Sequence, residues 1–159
     1  MKKALKIIAI VLAVLFVLAQ YVRPDLSPRP IVPGQELEAT TEVPQHVAAI
    51  FERSCNDCHT HKTNFPWYSQ ITPASWWLKD HIEHGREHLN FSVWNIYNTD
   101  RKVRKLEEVC EQVESREMPL PSYTWAHWDA PLTAEEIRWI CDWTEVETAR
   151  LEPGEASPE

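Results

Sequence analysis

The run Cys55-Asn56-Asp57-Cys58-His59 constrains this chain more than any other feature, because C-x-x-C-H is the attachment pattern of c-type haem. Two thiols three positions apart on a helical turn can form thioethers to the two vinyl groups on one porphyrin edge. The adjacent His59 then turns under the ring and places a nitrogen on the iron. The alternatives are a disulfide within the motif, or a zinc site of Cys55, Cys58, His59 and His61. We expect covalently bound haem c, with His59 on the iron.

A low-spin cytochrome needs a second axial ligand, and Met118 is the only methionine besides the initiator. It lies between Glu117 and Pro119 in a proline-stiffened loop, which suits a weak thioether ligand. The ordinary role of a lone methionine is to fill a gap in the core. Its uniqueness and its position before the final helix favour ligation of the iron. Other candidates for this position are His81, His84, His88 and His127.

The N-terminus is typical of an exported protein. Met1-Lys2-Lys3 precedes an apolar stretch from Ala4 to Val22, and positive charge before an apolar run indicates a bacterial export signal. We therefore predict residues 1–22 as a signal peptide or membrane anchor, with the remainder at the periplasmic side of the bacterial inner membrane. Residues 23–42, with four prolines, are predicted as a linker, and the acidic tail 151–159 as disordered.

Residues 43–150 are the predicted folded domain, and their apolar residues recur at helical spacing. Pro44 fits the first position of one helix, and Thr72-Pro73 begins a second that Gly85 ends. Asp100 is predicted to cap a third helix, and Thr133 with Glu136 forms a capping box for the last. No alternating strand is found, so the fold class is all-α, with long loops over 60–72 and 116–131.

The aromatic content predicts a flat apolar partner, because eight tryptophans are far above ordinary usage. The residues expected to form the haem pocket wall and the core are Trp67, Tyr68, Trp76, Trp77 and Trp94. Arg86 is a candidate partner for a haem propionate, with a solvated surface arginine as the alternative. His81, His84 and His88 lie at helical spacing and are interpreted as a solvated polar face.

Cys110 and Cys141 lie on the inward stripes of the third and last predicted helices. Small buried positions often carry a free cysteine. If the two helices pack side by side in an oxidising compartment, the pair could instead form a disulfide that closes a loop of about 30 residues.

The aromatic motifs after the attachment pattern resemble those of the bacterial haem-binding domain family of small membrane-associated c-type cytochromes, over residues 44–145. The matching segments are 64–69 (NFPWYS), 73–77 (PASWW), Gly85-Arg86, 89–94 (LNFSVW), 117–120 (EMPL), Tyr123-Thr124 and His127. The resemblance implies class I cytochrome c-like helices around one haem attached through Cys55 and Cys58, with His59 proximal and Met118 distal. Cys110 and Cys141 are not part of the family pattern.

The charge balance argues against nucleic acid as a partner, because 16 Lys and Arg face 24 Asp and Glu. The expected function is single-electron transfer with redox partner proteins, in or at the periplasm, and not an enzymatic activity. The competing interpretation is a haem enzyme or gas sensor with an open distal site, in which His127 would be the acid–base residue. A zinc-bound interaction module is the third class.

Overall fold

A computed structural model describes residues 1–152, and within this range the regular structure is helical, which confirms the all-α fold class. The α-helices are α1 (Lys2–Ala19), α2 (Leu37–Thr40), α3 (Gln45–Ser54), α4 (Asn56–His59), α5 (Ala74–His88), α6 (Thr99–Glu114), α7 (Pro121–Ala126) and α8 (Ala134–Leu151). Two 3-10 helices cover Trp67–Gln70 and Phe91–Ile96. The last seven residues, 153–159, lie outside the described range, and with them most of the tail predicted to be disordered.

The helix predicted to begin at Pro44 is α3, and the predicted helical spacing of its apolar residues is confirmed, because it buries a stripe of Val47, Ile50, Phe51 and Ser54. Pro44 takes the N-cap position, one residue before the position that we predicted for it. The stripe packs against aromatic residues from other elements. The ring of Phe51 stacks on Phe91 at 5.2 Å between centroids and meets Trp143 edge-on at 5.4 Å.

Helices α6 and α8 pack side by side and are joined by the disulfide Cys110–Cys141, with the two Cα atoms 4.8 Å apart. The disulfide alternative for this pair is therefore confirmed. The capping box at α8 is also confirmed, because the Thr133 side chain accepts from the backbone of Glu136 and the Glu136 carboxylate accepts from the Thr133 N–H. The predicted cap of α6 is wrong, since Asn98 rather than Asp100 accepts from the helix backbone.

The prediction that Gly85 ends the helix after Thr72-Pro73 is wrong, because α5 continues for three more residues to His88. Gly85 is instead an interior helical residue at a close contact. A Cβ there would lie 3.0 Å from the carbonyl oxygen of Cys58 and 3.2 Å from the Cβ of Cys58. The absence of a side chain at this position therefore lets α4 lie directly against α5.

Both predicted loops contain short helices, and the predicted linker packs on the domain at its C-terminal end. Leu37 in α2 is only 3% exposed and belongs to the apolar core, so a local apolar contact folds this part of residues 23–42. The carbonyl of Gln35 accepts from the N–H of Asn95 at 2.9 Å, which fixes the same segment to the second 3-10 helix.

The side chains of α1 are exposed up to Leu18, and the helix is tied to the domain just beyond its end. The side chain of Gln20 both donates to the carbonyl of Thr72 and accepts from its N–H, at 2.8 and 3.0 Å. In the part of the chain that the structure describes, no helix has the combination of length and apolar character needed to cross a membrane.

Candidate haem-binding site

A cavity of about 600 Å³ lies between α4, α5, α6 and the segment that leads into α7. Its volume is within the range of pockets that enclose small molecules and cofactors. The apolar part of its lining consists of Phe51, Leu89, Phe91, Val109, Val113, Pro119 and Leu120. Four residues predicted from the sequence also line it: Cys55, Cys58, His59 and Met118. The structure thus brings together both thiols predicted to attach haem and both predicted iron ligands.

Cys55 is the N-cap residue of α4 and Cys58 lies within this helix, and neither is in a disulfide. The turn is closed by the Cys58 and His59 N–H groups, which both donate to the carbonyl of Cys55, at 3.2 and 3.0 Å. Burial, followed by the proximity of Cys58, raises the pKa of the Cys55 thiol to about 12. Burial and the Asp57 carboxylate raise the pKa of Cys58 to about 11. Both groups are therefore thiols at neutral pH and are held at the cavity wall.

The ring orientation of His59 is set by backbone carbonyls at the C-terminal end of α5 and just beyond it. Its Nδ1 lies 3.0 Å from the carbonyl oxygens of both Gly85 and Leu89. Carbonyl oxygens only accept, so Nδ1 carries the proton and donates to them. Burial lowers the pKa of His59, which favours the neutral ring. Nε2 then keeps its lone pair and points away from α5. A metal-ligating histidine with a hydrogen-bonded Nδ1 adopts this same tautomer.

Met118 lines the cavity and is half-buried. Its N–H donates to the carbonyl of Gln112 at 3.0 Å, which fixes the chain just after α6. The preceding turn is fixed as well, because the Arg116 guanidinium donates to the carbonyl of Leu132 at 2.7 Å. Pro119 restricts the backbone on the other side of Met118. The thioether is thus presented by a constrained segment, as the sequence predicted.

Arg86 does not line the cavity. Its Nε donates to the carbonyl of Thr60 and its Nη2 to the hydroxyl of Thr63, both at 2.8 Å. These two bonds hold the loop that follows His59 against α5. The proposed contact with a haem propionate therefore has no counterpart in the arrangement of this side chain.

The five aromatic residues predicted as pocket wall and core do not form the wall, because none of them lines the cavity, but the core prediction is confirmed for Trp94. Trp94 is in the core at 1% exposure, whereas Trp67 is 78% exposed and Trp77 is 44% exposed. Trp77 contacts the ring of His81, at 4.0 Å between centroids. The aromatic lining comes from other residues, namely Phe51, Phe91 and Tyr123. Phe51 belongs to α3. Because the C-x-x-C-H run follows directly on α3, the ring of Phe51 faces the cavity.

The histidines of α5 fit the predicted solvated face only in part. His84 and His88 are exposed, as that interpretation requires, but these two and His81 also border the cavity. The opposite border carries Lys105 and Glu108 of α6. His127 is not a lining residue, and its ring stacks on Tyr123 at 4.0 Å between centroids.

The zinc alternative is not supported by the surroundings of His61. Its Nδ1 lies 2.8 Å from the carbonyl of Pro30 and its Nε2 lies 3.0 Å from the side-chain nitrogen of Asn90. Nδ1 is therefore the donor and Nε2 the acceptor, which leaves no lone pair for a metal. The disulfide alternative within the motif is not supported either, since Cys55 and Cys58 are both free.

Two functional roles had no counterpart among the sequence predictions, namely those of Gly85 at its close contact and of Asp57. Gly85 supplies both the close approach to Cys58 and a carbonyl for His59. Asp57 and Tyr123 join the attachment turn to α7 by a hydrogen bond of 2.9 Å. The scarcity of glycine, three in the chain, was a signal for Gly85, but the other contacts depend on tertiary packing.

The comparisons with known proteins agree with this site. A family model described as a haem-binding domain matches residues 14–146, which include every residue discussed above as a thiol or iron ligand. No curated protein and no solved structure matches the chain. The residues fit the group that the family binds, because one cavity offers an imidazole Nε2, a thioether and two free thiols within an apolar lining.

Proposed function

The chain belongs to the haem-binding domain family, and on that premise we propose that it is a c-type cytochrome that carries single electrons. Its haem is attached through Cys55 and Cys58, with His59 and Met118 as axial ligands. When bound, the haem supplies reversible one-electron exchange at its iron. The observation that carries the proposal is the convergence of these four side chains on one cavity, although Met118 is remote from the motif in sequence.

His59 is prepared for its role by the chain itself. Donation from Nδ1 to the carbonyls of Gly85 and Leu89 orients the ring and increases the basicity of Nε2. Because Nδ1 is bonded to these carbonyls at the C-terminal end of α5, Nε2 is the nitrogen left for the iron. The second axial position is left to another residue of the lining, and Met118 and the α5 histidines are the candidates for it.

Met118 is the best candidate for that distal position. It comes from the segment between α6 and α7, whereas the bonds to His59 come from α5. His127, the residue that an open-site enzyme would use, does not line the cavity. A soft thioether favours ferrous iron and raises the potential relative to bis-histidine ligation. These features support an electron carrier over a peroxidase-like enzyme.

Export to the periplasm is the proposed location. The positively charged, apolar N-terminal segment is typical of a bacterial signal peptide. The disulfide Cys110–Cys141 supports the same location, because such bonds persist in oxidising compartments and are rare in the cytosol. Covalent attachment of haem c would take place in that compartment.

Covalent attachment is tested by replacing both motif cysteines. The double variant C55A/C58A, made with a functional cytochrome maturation system, should show no haem staining after denaturing electrophoresis. The matched control is C110A/C141A, which removes two cysteines outside the cavity and should keep the stain. Wild-type protein without the stain would disprove covalent attachment.

Distal ligation is tested separately by Met118→Ala. The ferric wild type should show the weak red charge-transfer band of thioether ligation, and the ferrous wild type should bind carbon monoxide slowly. M118A should lose the band and bind carbon monoxide readily. The control is Glu117→Ala, an exposed neighbour of Met118 that does not line the cavity, and it should leave both properties unchanged. A wild type that lacks the band and binds carbon monoxide readily would favour the open-site enzyme or sensor.

A further inference from the structure

Helix α7 is held to the rest of the domain by few contacts. None of its residues is buried, and Trp125 is 90% exposed. Unlike Trp125, Tyr123 faces inward, because it lines the haem cavity and is half-buried. Its hydroxyl lies 2.9 Å from Oδ2 of Asp57 and 3.3 Å from the carbonyl oxygen of Arg53.

Asp57 is fixed in turn by the loop that follows the attachment motif. Its Oδ1 accepts from the N–H of Asn64 at 2.9 Å, and its carbonyl accepts from the hydroxyl of Thr63 at 2.7 Å. Both carboxylate oxygens are therefore used, one toward the loop and one toward α7. Since Asp57 lies between Cys55 and Cys58, it moves only with the turn that holds both thiols.

The hydrogen bond between the Tyr123 hydroxyl and the Asp57 carboxylate is of a strong type. A hydroxyl that donates to an ionised carboxylate forms a charge-assisted hydrogen bond. Burial, followed by the charge of Asp57, raises the pKa of Tyr123 above its usual value, so the hydroxyl remains a donor. The ring is further supported by stacking on His127, whose Nδ1 donates to the Tyr123 carbonyl at 3.0 Å.

We infer that Asp57 and Tyr123 form a latch between the attachment turn and α7, and that this latch positions Met118 over the iron. Five positions separate Met118 from Tyr123, and Pro119 and Pro121 stiffen that segment. Displacement of Tyr123 is therefore transmitted to Met118 rather than absorbed between them. Both are positioning residues, and the second part of the inference rests on the proposed function.

The test uses Tyr123→Phe and Asp57→Asn in the haem-loaded protein. Tyr123→Phe keeps the ring against the cavity and the stack on His127, while Asp57→Asn leaves the attachment pattern intact. Loss of a hydrogen bond to a charged group should raise amide hydrogen exchange in α7 by about 10- to 100-fold. Carbon monoxide should bind the ferrous protein faster, and the red charge-transfer band should weaken. The double variant should show no more than the larger single effect, because Tyr123→Phe removes and Asp57→Asn weakens the same bond.

The matched control is Tyr97→Phe, which removes another hydroxyl that is hydrogen-bonded in the core, where it accepts from the N–H of Asn90 at 3.1 Å. It should leave exchange in α7 relative to α6, the charge-transfer band and carbon monoxide binding unchanged. Unchanged exchange in α7 of both latch variants would overturn the latch.

Faster exchange in α7 with unchanged carbon monoxide binding would overturn the positioning of Met118. Failure of the proposed His/Met ligation is recognised independently, because the wild type would then already bind carbon monoxide and M118A would not differ from it. The exchange comparison still tests the latch in that case.

Discussion

Replacing Gly85 with alanine should weaken the haem site although it improves the helix around it. An added Cβ would lie 3.0 Å from the carbonyl oxygen of Cys58 and 3.2 Å from its Cβ. Neither atom can swing aside, because both belong to the turn that holds the attachment thiols. Overpacking of this kind costs about 1–3 kcal/mol. Alanine in place of glycine stabilises a helix interior by about 1 kcal/mol. The net expectation is destabilisation by about 0–2 kcal/mol.

The geometric effect should be larger than the net energy suggests. Separation of α4 from α5 lengthens the bond between Nδ1 of His59 and the Gly85 carbonyl, which is now 3.0 Å. The yield of covalent haem and the absorption spectrum of the ferric protein should both change in G85A. Urea unfolding followed by circular dichroism gives the free energy of unfolding.

Glu87→Ala provides the control for this experiment, because Glu87 is an exposed residue of the same helix. It should change the free energy of unfolding by no more than about 0.5 kcal/mol and leave the haem yield unchanged. If G85A instead stabilises the protein by about 1 kcal/mol, as helix propensity alone predicts, with an unaltered haem spectrum, then the close contact does not constrain the site.

Three further predictions concern the scaffold. Removal of the disulfide in C110A/C141A, whose cysteines are 31 positions apart, should lower the free energy of unfolding by about 3–4 kcal/mol, measured in urea; a loss below about 1 kcal/mol would contradict the chain-entropy account. Leu37→Ala should lower the free energy of unfolding by about 2–5 kcal/mol. An unchanged free energy would mean that the segment before the domain is not packed on it. Burial acts to raise the pKa of Glu136, but hydrogen bonds from the Thr133 backbone and from Arg53 lower it overall. The ionised Glu136 carboxylate therefore stabilises the fold above its ordinary pKa of 4.5. This stabilisation is lost as the pH falls through the lowered pKa. Acid titration of Glu136→Gln should show a smaller loss of stability in this range than the wild type, and equal losses would refute the assignment.

The parts of the fold that were predictable are those whose cause is local. The capping box of α8 was readable because Thr133 and Glu136 satisfy each other's backbone within one turn. The stripe of α3 was readable because its period is that of a helix that buries one face. Gly85 was misinterpreted for the opposite reason. Glycine at a helix end and glycine at a close contact look the same in sequence, and only the position of Cys58 distinguishes them.

The tryptophans show the limit of composition as an argument. A surplus of large aromatic side chains indicates that apolar contact is available, but not on which side of a helix it lies. Trp94 found such contact in the core, whereas Trp67 and Trp125 remain largely exposed. The cavity is lined instead by Phe51 and Phe91, and composition alone does not distinguish these two rings from the tryptophans.

The candidate site combines side chains that the sequence reveals with backbone groups that it cannot reveal. The thiols and the imidazole are adjacent in the motif, and Met118 could be found by elimination because no other thioether follows the initiator. The groups that select the tautomer of His59 are the carbonyls of Gly85 and Leu89, and every residue in a chain carries a carbonyl. Only the packing of α4 on α5 makes these two relevant, and that packing depends on the missing side chain at Gly85. The same glycine thus controls both the approach of the attachment turn and the direction in which Nε2 points. A change at this position should therefore alter thiol placement and ligand orientation together, whereas a change at Met118 should alter ligation alone.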